Sequence, residues 1–350
     1  MPAFNTSIAL TSAAVVGSSA IVGSAMGWWT KNQMPVEGKT VLLTGATEGM
    51  GRSVAKQLAA QGADVIVVAR NVGRLAETVA ELKTLAPSES QRFHHIAADV
   101  AEPNYAAAVI ADALAWNGGR PIDVVWCVAG MSTPMLWAEE PQAVALGASR
   151  RNMDVNFWGA AEMAHAILRE WLRPEAGPYA EPRHLVLTAS VLAFFAVVGY
   201  APYTPTKWAL RGLADTLAQE TLLYYDTNPV RVSVVFPGTI LSPGLARENT
   251  TKPDVTLQLE KDDPQLSPDQ VAAQAIRGLQ RGHHFVTVSW LGDLMRWGTL
   301  GGAPRNSWLC DTLGAYLVAF VMFFVVWWIH GDIRAYARKH GHPATYAKKG

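Results

Sequence analysis

Two cysteines in 350 residues, Cys127 and Cys310, are too few and too far apart for a disulfide framework or a zinc site. Both stand in apolar stretches and read as small buried hydrophobes, which suits a chain kept in a reducing compartment. Net charge is missing too, with 29 Lys and Arg against 29 Asp and Glu. No basic run precedes the C-terminal tail, so nucleic acid is excluded as a partner. The histidines lack metal-ligand spacing: His94-His95 and His283-His284 are adjacent pairs without carboxylates at ligand intervals, and no metal is expected. Internal repeats and low-complexity linkers are absent. That leaves a chain half hydrophobic in composition, enough for one large core with appendages.

The apolar runs are continuous rather than alternating, as in strands buried on both faces. They fall at Thr40–Thr44, Asp64–Ala69, Phe93–Asp99, Asp123–Val128, His184–Ser190, Val230–Phe236 and Phe285–Ser289. Helical patterns lie between them, at Gly51–Gln61, Arg74–Leu85, Tyr105–Ala115, Arg150–Leu172, Thr204–Tyr225 and Pro268–Gln280. This alternation predicts an α/β fold, a Rossmann-type doubly wound parallel sheet of about seven strands. It occupies residues 36–292, between an apolar N-terminal segment (1–35) and a C-terminal segment (293–350).

Tyr203-Thr204-Pro205-Thr206-Lys207 lies thirteen residues after Ser190. A ketone that accepts hydride becomes an alkoxide and must gain a proton. A free phenol, with a pKa of about 10, is a poor acid near neutrality. A nearby ammonium is expected to lower that value. On a helix Tyr203 and Lys207 share a face, and Pro205 is tolerated in the first turn. Ser190, closing a strand, is placed to hydrogen-bond the carbonyl oxygen as charge builds there.

Gly45, Gly49 and Gly51 follow the first strand and open the first helix, in the spacing G-x-x-x-G-x-G. Glycines let the backbone approach a pyrophosphate, which the helix N-terminus then attracts. Thr47, Glu48 and Met50 complete this loop, although the Glu48 carboxylate opposes a phosphate unless it points away. The second strand ends Val68-Ala69-Arg70 with no acidic residue for a ribose 2′-hydroxyl. Arg70 and Arg74 suit a 2′-phosphate instead, so NADPH is expected over NADH. Asp99-Val100 is expected under the adenine and Ala129-Gly130 beside the nicotinamide ribose.

Together these residues resemble the classical short-chain dehydrogenase/reductase family over about Val36 to Ser289. The likeness includes Asn156 in Asn156-Phe157-Trp158-Gly159, and Pro237-Gly238 followed by Thr239. It implies that Tyr203 donates the proton, that Lys207 lowers its pKa and binds the nicotinamide ribose, that Ser190 orients the carbonyl, and that Asn156 holds a water in the proton relay. Cys127 and Val128 depart from the family's usual asparagines, and Pro205 stands within the Tyr–Lys segment. A narrower likeness covers Ser242-Pro243-Gly244-Leu245, Glu248-Asn249, Thr251-Lys252-Pro253 and Leu259-Glu260. These resemble the 3-ketodihydrosphingosine reductases, particularly fungal ones. That family reduces 3-ketosphinganine to sphinganine with NADPH on the cytosolic face of the endoplasmic reticulum. The implied partners are a long-chain sphingoid ketone and a lipid membrane, and the family's helices imply a possible homo-oligomer. Leu241 to Leu259 is expected either as an apolar lid over the alkyl chain or as an ordinary surface loop. Rival readings are a membrane-bound reductase of steroids, retinoids or fatty acyl intermediates, and a scaffold that kept the fold without turnover.

Leu313 to Ile329 carries no charge and, extended to Thr312, reaches eighteen uncharged residues, enough to span a bilayer. Trp327 and Trp328 close it, followed by Asp332, Arg334, Arg338 and Lys339. Ile8 to Trp29 is also uncharged and is expected at a membrane, with a signal peptide and a surface segment as alternatives. Positive charge on both sides of the last segment leaves topology open between a single crossing, a re-entrant hairpin and an in-plane segment.

Overall fold

The computed structural model describes residues 31–346. The expected N-terminal membrane segment at Ile8 to Trp29 lies outside them, as do Lys348 and Lys349. The strands are β1 (Thr40–Thr44), β2 (Asp64–Ala69), β3 (Phe93–Ala97), β4 (Val124–Cys127), β5 (Arg183–Thr188), β6 (Val230–Phe236), β7 (Thr239–Ile240), β8 (Gln265–Leu266) and β9 (Phe285–Thr287). Seven of them form one sheet in the order β3-β2-β1-β4-β5-β6-β9. Every pairing in it is parallel.

The order reverses between β1 and β4, and a doubly wound sheet opens its ligand crevice at such a point. β1 and β4 are buried at every position, which explains their unbroken apolar runs. Helices cover both faces. One carries α1 (Gly49–Ala60), α2 (Val72–Leu85) and α9 (Pro268–Gln280), packing Leu58, Leu75, Leu82 and Ile276 against the sheet. The other carries α3 (Tyr105–Trp116), α5 (Gly159–Leu172) and α6 (Thr204–Glu220) around Trp171, Ile167 and Leu210. Trp171 is fully buried and satisfies its indole N–H on the Ile122 carbonyl at 2.8 Å.

The predicted helix over Arg150–Leu172 is longer and less regular than its pattern suggests. α4 (Gln142–Met153) runs into a π-helical turn at Asp154–Trp158 and then into α5. Single π turns inside helices mark functional positions, and this one carries Asn156.

The segment expected as a lid or loop folds into two short helices, α7 (Pro243–Asn249) and α8 (Asp254–Glu260). β7 and β8 pair at its two ends and close the excursion onto the sheet. Among the described residues, one helix is long and apolar enough to cross a membrane: α11 (Trp308–His340), at 33 residues. It is continuous, so a re-entrant hairpin within it is excluded. Leu313, Leu317, Phe320, Phe324, Trp327 and Trp328 are exposed along it.

The start of α11 is fastened to the domain through α10 (Trp290–Gly298), a helix that runs across the domain boundary expected at residue 292, and α11 also meets α8. Arg296 donates to both oxygens of Asp311, at 2.8 and 2.7 Å, in a pair that is almost fully buried. Trp297 adds an indole bond to Asp311 at 2.9 Å. Breaking a buried pair from one side strands a charge, at about 3–5 kcal/mol. Asp311→Ala is therefore expected to lower the thermal unfolding midpoint of the detergent-solubilised protein, whereas Leu317→Ala, on the exposed face, leaves it near wild type. Equal midpoints for all three proteins would refute this anchoring role.

Candidate active site

The crevice at the strand-order reversal is a cavity of about 820 Å³. Every residue expected to bind cofactor lines it, as do Ser190, Tyr203 and Lys207.

Ser190 follows β5 as the cap of a short 3₁₀ turn, Val191–Ala193, where its Oγ accepts from the Leu192 N–H at 3.2 Å. Tyr203 caps α6, and Pro205 sits in the first turn, where no hydrogen bond is lost. One turn on, Lys207 reaches back to the sheet and donates from Nζ to the Thr188 carbonyl at 3.0 Å. Its Nζ lies 5.5 Å from the centre of the Tyr203 ring. The expected shared face is therefore present.

The expected lowering of the phenol pKa is not what the protein alone displays. Burial pushes Tyr203 above its ordinary value, a hydrogen bond with Ser190 opposes this, and the Glu248 charge adds to it. Burial also brings Lys207 down to about 7. Burial favours the neutral form of both groups and leaves the Lys207 ammonium about half populated near pH 7.

Asn156 is the one catalytic candidate that does not line the cavity. It is buried behind the loop after β4. Its Nδ2 donates to the Met131 carbonyl at 2.9 Å and to Thr206 Oγ1 at 3.0 Å, while Oδ1 accepts from the Met131 N–H at 2.8 Å. Both of its donors are spent on protein. The side chain ties the Ala129–Met131 loop to the first turn of α6.

The glycine loop fits a pyrophosphate by an internal test. Gly45 has φ +71°, and a Cβ there would lie 2.6 Å from Ala129 Cα. A Cβ on Gly51 would collide with the Gly45 carbonyl. Only glycines let the start of α1 approach the ends of β1 and β4 this closely. No side chain caps α1, so its first N–H groups remain available for an anion.

Glu48, whose charge opposed a phosphate, is turned aside. Arg74 Nη1 holds its Oε2 at 3.0 Å, and Arg247 of α7 holds its Oε1. Arg70 lies 3.8 Å from Asp99, is two-thirds exposed and stays free to pair with a ligand. Cys127 is sealed in β4, where burial pushes its thiol up to about 12, so it is inert. Among the described residues, no group of three or more His, Cys, Asp or Glu stands where it could hold a metal.

Several residues escaped the sequence reading. Arg247 reaches Glu48 across 199 positions with no local signal. Tyr200, Glu248, Lys252, Glu260 and Asp263 form a further wall of the cavity. The i, i+4 spacing of Glu248 and Lys252 was the one clue to their pairing.

The depressed Lys207 value has a thermodynamic consequence. Between its folded value of about 7 and the ordinary 10.5, the folded chain binds fewer protons than the unfolded one. Stability therefore rises with pH across that window, by up to about 1.4 kcal/mol per unit. Tyr203, shifted the other way, opposes the rise only above its ordinary value of 10. Denaturant titrations are expected to show this rise in wild type and its loss in Lys207→Met. Parallel profiles for the two proteins would contradict the assignment.

Residues 39–253 match the short chain dehydrogenase family. The 3-ketodihydrosphingosine reductase gsl-3 of Neurospora crassa is 58% identical over 348 residues, covering 99% of this chain and 95% of that one. The 3-ketodihydrosphingosine reductase ksrA of Aspergillus fumigatus is 39% identical over 340 residues, covering 93% and 92%. In fold, a short-chain type dehydrogenase/reductase from Mycobacterium ulcerans superposes with a TM-score of 0.60 at 24% identity, covering 73% of this chain and 89% of that one.

Proposed function

The chain belongs to the short-chain dehydrogenase family, and from that premise we propose that it reduces 3-ketosphinganine to sphinganine with NADPH, in sphingolipid synthesis. The observation that carries the reading is the convergence of Ser190, Tyr203 and Lys207 on the cavity that also holds the glycine loop. Names of relatives supply the substrate: gsl-3, 58% identical, is called a 3-ketodihydrosphingosine reductase.

A nicotinamide cofactor, when bound, supplies the hydride. Gly45, Thr47, Gly49, Met50 and Gly51 would hold its pyrophosphate against α1. Asp99 and Val100 would flank the adenine, while Ala129, Gly130, Pro237, Gly238 and Thr239 would border the nicotinamide end. Arg70, with Arg74 beside it and no acidic residue at the end of β2, favours the 2′-phosphate of NADPH.

Tyr203 acts as the general acid. Reduction needs a phenol that still carries its proton, and burial ensures this near neutrality. The proton moves from Tyr203 Oη to the alkoxide oxygen, a far stronger base than phenolate. Ser190 donates to the same oxygen and orients it. As charge appears on Tyr203, the ammonium form of Lys207, already about half populated near pH 7, gains an anionic neighbour and steadies the phenolate. Thr188 fixes its Nζ in place. Asn156 positions this set by tying α6 to the loop after β4.

A long-chain ketone resides in the bilayer, held by roughly 0.8 kcal/mol per buried CH₂. α11 tethers the domain there, which we place on the cytosolic face of the endoplasmic reticulum. Exposed Trp158 and Trp208, on the π turn and on α6, offer a face for a homo-oligomer.

Detergent-purified protein is expected to oxidise NADPH faster with 3-ketosphinganine than with a steroid ketone or retinal. No preference among the three would end the sphingoid assignment. Tyr203→Phe is expected to lower kcat by about 10²–10⁴-fold while NADPH still binds, as measured by quenching of protein fluorescence. Unchanged turnover would remove Tyr203 from the acid role. Arg70→Ala is expected to narrow the preference for NADPH over NADH by about tenfold, the worth of one charge-assisted bond. An unaltered ratio of kcat/KM for the two cofactors would place the discrimination elsewhere.

A further inference from the structure

The cavity does not end at Tyr203. Past it, Tyr200, Glu248, Thr251, Lys252, Glu260 and Asp263 line the same space. The rings of Tyr200 and Tyr203 are 5.9 Å apart, so this wall lies one aromatic ring from the proton donor.

Its charges do not balance. Lys252, with its side chain only 2% exposed, donates to Glu248 Oε1 at 2.9 Å and to Glu260 Oε2 at 2.7 Å. One cation thus faces two carboxylates, and Asp263 makes a third acid. Lys252 lies between the two helices, so fastening α7 to α8 through it employs both carboxylates, and with Asp263 the cluster holds three acids against one lysine.

Its protons do not balance either. The Tyr200 hydroxyl lies 2.7 Å from Glu248 Oε1 and 2.7 Å from Glu260 Oε1. A phenol has one proton and donates to one acceptor at a time. The other carboxylate oxygen is left against the phenol oxygen with no hydrogen between them. Burial and the neighbouring Glu260 raise Asp263 to about 6, as expected where negative charge is already in surplus.

A separate observation marks the same cavity as a polar ligand site. Ser132 is among its lining residues, and its buried Oγ has no hydrogen-bond partner among the described residues. A sealed hydroxyl without a partner is completed when a ligand brings one.

We propose that Glu248 and Glu260, backed by Asp263, form the subsite for an ammonium group on the carbon next to the reacting carbonyl, and so select amino ketones over plain ketones. This rests on the function proposed above, because 3-ketosphinganine carries such an amine and is cationic near neutrality. The ammonium brings both the missing charge and the missing protons. Its position beside the carbonyl matches the placement of the carboxylates beside Tyr203. The neighbouring substrate hydroxyl suits Ser132. The surplus of carboxylate over lysine thus acts as a selectivity device.

The test compares kcat/KM for 3-ketosphinganine and for its analogue lacking the amine, 1-hydroxyoctadecan-3-one, using the full-length protein in detergent with NADPH. Wild type is expected to favour the amino ketone. Glu260→Gln is expected to reduce that ratio by roughly 10- to 100-fold, mainly through KM, the loss expected for a bond to a charged group. Asp263→Asn, at a side chain less involved in the fold, is expected to reduce it by a smaller factor and covers the case in which Glu260→Gln fails to fold. The wild-type ratio should fall as pH drops through about 6, where Asp263 gains its proton. If the variants slow both substrates equally, or the wild-type ratio is near one, the cluster only braces the lid and the proposal fails. If wild type reduces neither lipid, the function above fails instead. Aminoacetone against hydroxyacetone then reads the subsite alone, and equal rates with that pair would overturn it.

Discussion

A buried ammonium with a single protein partner organises this molecule. Lys207 is sealed at the crevice floor and hydrogen-bonded to the Thr188 carbonyl at the end of β5. Burying a cation without a counter-ion is unfavourable, and the protein tolerates it by letting the group lose its proton near neutrality. That arrangement fixes the start of α6 against the sheet. Tyr203 and Thr206 are then placed by the same turn, and Thr206 receives the Asn156 amide that holds the loop after β4. The crevice is assembled by side chains spent on backbone and on each other, leaving few groups facing inward.

Burial acts on the acid and the base of this set in opposite directions. It holds the Tyr203 proton more tightly and the Lys207 proton less tightly than in water. A reductase benefits from both, since the phenol waits in its donating form and the amine is ready to become a cation when a phenolate appears. The tuning that the amine was expected to perform on the resting phenol is deferred to the moment of proton transfer.

The excursion between β7 and β8 connects the two ends of the crevice. Adjacent residues of α7 point to different tasks: Arg247 holds Glu48 of the phosphate loop, and Glu248 joins the wall beside Tyr203. Lys252 ties that helix to Glu260 of α8. One short helix thus touches both the glycine loop and the wall beside Tyr203. At the far end, the Arg296–Asp311 pair secures the root of α11, whose apolar side chains stay exposed along its length.

The sheet was legible because strands buried on both faces need unbroken apolar runs, and all seven central strands fall where those runs stand. The glycine spacing and the Ser190, Tyr203, Lys207 set were equally legible, since each depends on contacts within a strand, a turn or one helical repeat. The partners of Asn156 were not legible, because Met131 and Thr206 lie 25 and 50 positions away. The release of Glu48 from the phosphate by Arg247 and the carboxylate wall around Lys252 were decided only by the folded chain. Such pairings depend on how a loop of two short helices is laid over the crevice, and no local period encodes that. Sequence by itself determined the sheet, the glycine loop and the spacing of Ser190, Tyr203 and Lys207; tertiary structure decided their protonation and their counter-charges, because both depend on burial and on neighbours remote in the chain.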